Sequence, residues 1–449
     1  MLTNLKRSLR TFAVQALGIR QPVGDLYNQR SEPAAIATYM DVERVHEVFA
    51  QAEAGDTRDL FALYRDIIVA DNHIQTEIAK RKLAVLGDKL TVQPLDKADS
   101  ADVAASLAVR EMIDNCGSWF AACNHLLDAS VYPVAVAEKV FAPAGTLAYV
   151  ATAPLRFVLD RLVPVPFQLL DFSTGRLRIR DVDPQSGTPL GSTHEADPAV
   201  YIVHRGHLLT SADNFGGPLR SIVWWWLFSV MDRSWWARFM DRYGSPFIVT
   251  KYDASDNSTR LLLMNALKHA VKIGGLVVNT DTEVELVSAA ATGASDAYAS
   301  FHAICQREKS KLILGQTLSS EAQATGMNEG VSKIQENVRQ DIRAFDAMRL
   351  ATTLRDSLLQ QYCAINGSAG RPPRLVWGSQ SNADLRATAD LLGSLNTAGL
   401  EVDDAALPTL SENVGLPLRR KAAPAAPPPA PLPFSVAADL LFGRPRARK

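Results

Sequence analysis

His204 and His207 stand three residues apart across Gly206, in the run Val203-His204-Arg205-Gly206-His207-Leu208-Leu209. Imidazoles at that spacing could share a divalent metal. With the acidic residues up to 213, they would make a hydrolytic centre of nuclease type. No third ligand stands near them in sequence, so a structural or solvent-facing role is the stronger reading. Asp403-Asp404 is an acidic pair in an apparent turn and reads as solvated. Asp341, Asp346 and Asp356 alternate with Arg339, Arg343, Arg349 and Arg355 along one apolar-periodic stretch. That alternation predicts a salt-bridged helix face before it predicts a catalytic constellation. The four cysteines, Cys116, Cys123, Cys305 and Cys363, include no CxxC pair and no zinc spacing. They fit buried thiols in a reduced, intracellular chain. The chain carries no phosphate-binding loop, no dinucleotide fingerprint, no HExxH and no nucleophile elbow. These gaps together point to a structural or assembly protein without catalytic residues, metal or cofactor.

The elements that would position such groups follow from periodicity. The 449 residues are 47% hydrophobic and 21% charged, with a formal net charge of −1, which allows several structural units and a large core. A near-neutral total argues against coating nucleic acid with charge, although local basic patches stay open. Arg10, Gln15 and Arg20 interrupt the N-terminal segment, so no export signal is read there and a cytoplasmic place of assembly is expected. Residues 41–86 read as helices, 90–94 as a short strand, and 99–115 and 117–130 as helices. The stretch 131–205 is β-rich, with strands expected at 134–141, 167–170, 176–180 and 199–204. A strand–helix–strand insertion is expected at 245–290, with strands at 247–252, 276–278 and 283–287 around a helix at 258–273. Ser295-Asp296 caps a helix to residue 314. A polar, Gly-punctuated loop follows at 315–330, then the longest helix, from Val331 to Ile365, stopped by Asn366-Gly367. Residues 422–433 are a Pro/Ala linker before a basic tail.

The densest aromatic signal is Trp224-Trp225-Trp226 followed by Trp235-Trp236. Nothing between Pro218 and Gly244 breaks a helix, and apolar side chains occupy nearly every face of its first half. A helix apolar all round must be buried all round. Either a large core covers it or other copies of the chain do. A membrane span is excluded by length: the apolar run ends at Asp232-Arg233, about half the roughly twenty residues a span needs.

Several blocks resemble the portal proteins of Mu-like tailed bacteriophages. They are Asp71 to Leu86 (DNHIQTEIAKRKLAVL), Tyr201 to Leu208 (YIVHRGHL), FGGPLRSIVWWWLF leading to WWARFMDRYGSPFIVTKY, KLILGQTL at 311–318, Asp341 to Leu359, and the gapped end 384–417. The Trp-rich helix and RYG-x-P-F followed later by LGQTL is the specific combination. The chain departs from the pattern at Thr250, where a Gly is usual, and in the less Gly/Ser-rich stretch after LGQTL.

The resemblance implies an α+β, mainly helical, ring-forming fold with wing, stem, clip and crown regions. The ring, a dodecamer, would occupy one capsid vertex and pass double-stranded DNA through its centre during packaging and ejection. The implied division is an N-terminal arm (1–40), a wing (41–215), a stem helix (216–244), an α/β clip (245–292) and a second stem helix (293–314). A tunnel loop (315–330), a long wing helix with its return (331–379), a crown-like unit (380–420) and a Pro-rich linker and tail (421–449) complete it. Implied partners are further copies of the chain, DNA bound without sequence preference, the terminase large subunit, the major capsid protein or scaffold, and a head-completion or connector protein, with no membrane. The implied location is the virion, after assembly in the host cytoplasm. Expected DNA-channel residues are Lys309, Lys311, Gln323, Asn328 and Lys333. Expected subunit-contact residues are Trp224, Trp225, Trp226, Trp235, Trp236 and Tyr243. The competing expectations are a non-portal virion assembly adaptor and a metal-dependent nuclease.

Overall fold

The computed structural model describes residues 21–27, 37, 40–145, 155–243, 248–252, 257–269, 275–279, 291–316, 329–378 and 382–398, with isolated positions 403, 407, 411 and 419. The chain divides into two units, Met1–Gly378 and Ser379–Lys449. The second contributes one long described helix, Asn382–Thr397.

The first unit starts helical, and its caps are local. After a single turn, α1 (Val23–Leu26), α2 (Val42–Glu53) begins at Asp41, whose carboxylate accepts the Arg44 amide. Its buried stripe is Val45, Val48, Phe49 and Ala52, the spacing of one helix face. α3 (Arg58–Ala70) buries Leu60, Phe61, Leu63, Tyr64 and Ile67. α4 (Asn72–Leu86) is capped by Asp71, which accepts the His73 and Ile74 amides. α5 (Ser100–Asn115) and α6 (Trp119–Leu126) follow.

Strands β1 (Leu90–Gln93), β2 (Ala135–Pro143), β3 (Phe157–Val165), β4 (Leu170–Asp171), β5 (Arg178–Val182), β6 (Pro189–Glu195) and β7 (Tyr201–His204) belong to three sheets. β2 is the centre of an antiparallel β3-β2-β7 sheet, with Val136 opposite Val165 and Val203. Its two faces serve two cores. Val134 and Val136 pack with α2, α3 and the second sheet, β4-β5-β6. Ala135, Ala137 and Phe141 pack with α5, α6 and the helical residues Leu350, Leu354, Leu358 and Tyr362 of the same unit. A strand covered on both faces reads as a continuous apolar run.

α7 (Leu219–Tyr243) and α9 (Ala291–Leu314) pack together. Between them in sequence, β8 (Ile248–Tyr252), α8 (Asn257–His269) and β9 (Gly275–Asn279) form a parallel strand pair with a crossover helix. The strand expected at 283–287 lies outside the described residues. α10 (Glu329–Leu354) runs through a π-turn, Arg355–Leu359, into α11 (Gln360–Asn366), ended by Gly367 at φ +68°. β10 (Arg374–Trp377) then returns antiparallel to β1, pairing Trp377 with Leu90.

Candidate subunit-contact and channel surfaces

The Trp-rich helix α7 is not buried all round within one copy. Ile222, Val223, Trp226 and Leu227 form its covered face, and Trp226 is only 3% exposed in the subunit's own core. The expectation that Trp226 lies at a subunit contact is therefore corrected: its ring is consumed by the fold. Trp224 is half-buried against His46 and, edge-on, Phe49, with ring centroids 5.1 and 6.0 Å away. Trp225 is half-buried with its ring edge-on to Phe228. Phe228 is 36% and Trp235 47% exposed. The buried indole Nε1 of Trp236 has no acceptor among the described residues. Tyr243 closes α7, but its side chain lies outside the described residues.

The charged residues of α9 divide sharply. Lys309, expected to face DNA, is 0% exposed. Its Nζ donates to Asp71 Oδ2 at 2.6 Å and to Ser229 Oγ at 3.0 Å, so one ammonium joins α4, α7 and α9. This corrects the channel assignment, because a sealed, paired cation cannot meet phosphate. Burial pulls the Lys309 amine below its usual range despite the partner carboxylate. Burial alone would raise Asp71. Lys309 and the His73 and Ile74 amides outweigh it and hold the carboxyl below its ordinary value. Next to this pair, His73 Nε2 and Ser310 Oγ share a 2.7 Å hydrogen bond. Lys311 points outward, half-exposed and paired with Glu308 one turn away. Gln323 and Asn328 lie outside the described residues. Lys333 lies in α10, with its side chain outside them.

The two histidines of the possible metal pair are taken up separately. His204 is buried, with Nδ1 2.8 Å from Thr353 Oγ1, and its pKa is pulled down to about 4, chiefly by burial, with Arg349 and His207 adding repulsion. His207 Nε2 donates to the Pro133 carbonyl at 2.9 Å. No group of three or more His, Cys, Asp or Glu among the described residues is arranged to hold a metal ion. The four thiols are all buried and unpaired. Of the alternating charges expected to pair along α10, Asp346 and Arg343 bond across elements instead. Asp346 accepts a bidentate Arg81, while Arg343 pairs with Asp88 and donates to the Ala84 carbonyl at 2.9 Å.

Lys139 is the buried group that sequence reading missed. It sits fully buried in β2 and donates to Pro198 O (2.6 Å), Ser357 O (2.7 Å) and Gln361 Oε1 (2.5 Å). Ser357 belongs to the π-turn, whose altered hydrogen-bond register leaves carbonyls to satisfy. Burial pulls the amine down to about 7. Its only sequence signal was a charged pair, Glu138-Lys139, inside an apolar strand.

Sequence reading also missed an open apolar groove of about 940 Å³, lined by Leu208, Phe215, Trp224, Leu312, Ile342 and Phe345 among others. Leu208, 79% exposed, stands at its rim. The adjacent pair Leu208-Leu209 in an otherwise polar connection was the available signal.

Among known proteins, residues 61–416 match the family described as the portal protein of Mu bacteriophage. The chain belongs to this portal family. It is 25% identical over 399 residues to the Mu-like prophage FluMu protein gp29 of Haemophilus influenzae, covering 86% of this chain and 74% of that one. It is 25% identical over 366 residues to the portal protein of Escherichia phage Mu, covering 80% and 68%. Among solved structures, a chain of the virion of a native gene transfer agent particle aligns at 13% identity and TM-score 0.49, covering 80% of this chain and 93% of that one. The block Asp71 to Leu86 that carries part of this family likeness is α4, which holds Lys309 through its cap and Arg81 on its body. No described helix of this portal-family chain is long and apolar enough to cross a membrane.

Proposed function

We propose that this chain is the subunit of a portal, a homo-oligomeric, dodecameric ring at one capsid vertex. The ring forms the channel for DNA packaging and ejection, docks the terminase motor, and later receives head-completion proteins. The observation that carries this reading is the family match over 61–416. The geometry supports it: Phe228 and Trp235 stay exposed on a helix whose opposite face is core, and an apolar groove lies open beside Trp224. Large uncovered apolar surface on a well-packed chain marks a contact site, and a ring presents the same contact at every subunit. The division into wing, stem, clip and crown belongs to this proposal, with α7 and α9 as the stem pair and β8-α8-β9 within the clip. The near-neutral charge suits a conduit, because each phosphate contact would add a salt-dependent grip repeated around the ring. The channel wall would draw on Lys311 and on 315–330 rather than on Lys309. The work of translocation would come from the docked motor, and the chain itself is assigned no catalytic step or cofactor.

Negative-stain imaging of purified full-length chain tests the reading. Rings with an axial hole about as wide as duplex DNA are expected. Folded monomers at high concentration, together with particles that fill with genome in the absence of this chain, would sink it.

A further inference from the structure

The guanidinium of Arg81 does two jobs at once. Nε and Nη2 grip the carboxylate of Asp346 at 2.7 and 2.9 Å, a forked pair nearly sealed from solvent. Nη1 donates to the Ile313 carbonyl at 2.9 Å. Ile313 is in the last turn of α9, where carbonyls have no helical donor left to accept. A second observation falls at the same corner. Gly315 ends α9 in the left-handed region at φ +67°, its amide bonded back to the Lys311 carbonyl at 2.9 Å. A Cβ there would stand 2.9 Å from Ile342 Cδ1 and 3.2 Å from Val338 Cγ1 of α10. The turn therefore lies against the side of α10, and glycine supplies the left-handed φ without pushing back the Ile342 and Val338 side chains. Gln316 just beyond it is buried as well.

We propose that Arg81 is the positioning residue that fixes this corner, holding the last turn of α9 and the middle of α10 on one rigid fork. α4 then acts as a splint. Its cap, Asp71, locks Lys309, and two to three turns further on Arg81 locks the end of α9 to α10. The α7–α9 pair is thereby coupled to α10, so the direction in which the chain leaves α9 is set from α4. The consequence for DNA passage rests on the portal reading above: the corner fixes where the segment after Gln316 departs.

Hydrogen exchange by mass spectrometry on the full-length chain tests this, with Arg81→Lys and Asp346→Asn as the variants. Lysine keeps the charge but cannot fork onto a carboxylate while reaching a carbonyl. In both variants, amides 312–316 are expected to exchange at least about tenfold faster, roughly 1.4 kcal/mol of lost local protection, while residues 42–53 of α2 stay at wild-type rates. Unchanged exchange at 312–316 in both variants would overturn the proposal. So would a packaging defect in Arg81→Lys without any change at this corner. The corner lies within one copy, so a wild-type chain that forms no ring would sink the portal reading and leave this result interpretable.

Discussion

His204 carries a pH signature in the acid range. Its imidazole is held neutral by burial, with a pKa of about 4 against 6.5 for the free side chain. Between those values the unfolded chain binds a proton that the folded chain refuses, so stability falls as pH drops from 6.5 towards 4. The loss amounts to roughly 3 kcal/mol at about 1.4 kcal/mol per pH unit. Urea midpoints measured from pH 7 to 4 should slope less steeply in His204→Gln than in the wild type, and parallel slopes would refute the assignment. Lys309 makes the opposite point about charge. Removing one partner from a buried pair strands the other, so Lys309→Met should cost about 3–5 kcal/mol of subunit stability. Lys311→Ala, which loses only an exposed pair with Glu308, should stay within about 1 kcal/mol. Equal urea midpoints for Lys309→Met and wild type would show that Asp71 and Ser229 do not depend on it.

Among the elements, α7 has two aromatic faces with different fates. Trp226 fills the subunit core, so Trp226→Ala should cost about 3–5 kcal/mol in the chain itself. Trp235 faces outward, so Trp235→Ala should change subunit stability by less than about 0.5 kcal/mol. Under the portal reading it should instead reduce the fraction of chain recovered as rings by size-exclusion chromatography. Rings in wild-type yield from Trp235→Ala would take that residue out of the contact. The α4 splint belongs to the same scale. It is a short helix that holds elements more than two hundred residues away in sequence through Asp71 and Arg81.

For the whole molecule, the exposed faces of α7 and the groove beside Trp224 are parts of a single question. A ring binds the folded state of each subunit through its neighbours, and such linkage makes apparent stability rise with protomer concentration. The thermal midpoint of the wild-type chain should therefore climb with concentration over the range in which rings appear by imaging. A midpoint independent of concentration would match the monomer outcome that sinks the portal reading. Within the subunit, β2 serves two cores at once, so damage to this strand should spread to both sides of the first unit.

The sequence alone determined what neighbouring residues decide. Pro218 and Gly244 bracket α7 in sequence, Asn366-Gly367 stops α11, and apolar periodicity marks the helices within 41–86 and 99–115. Capping and periodicity act within a few residues, so these elements were legible, as was the strand–helix–strand of β8, α8 and β9, and so was the family. Strands β3 and β6 were not: Asp160, Arg161 and Pro164 break the alternation of one, and the other is mostly polar. The π-turn at Arg355–Leu359 left no periodic trace in a helix predicted as continuous. The candidate surfaces depended still more on the tertiary structure. The resemblance implied that Lys309 faced the channel and that Trp226 met a neighbour, and charge alternation suggested that Asp346 bonded along its own helix. The fold sealed the first with Asp71, spent the second in the core, and gave the third to Arg81, 265 residues away. Local chemistry sets which segments become helix or strand. Which face is covered, and which charge meets its partner, is settled only when distant segments exclude water together.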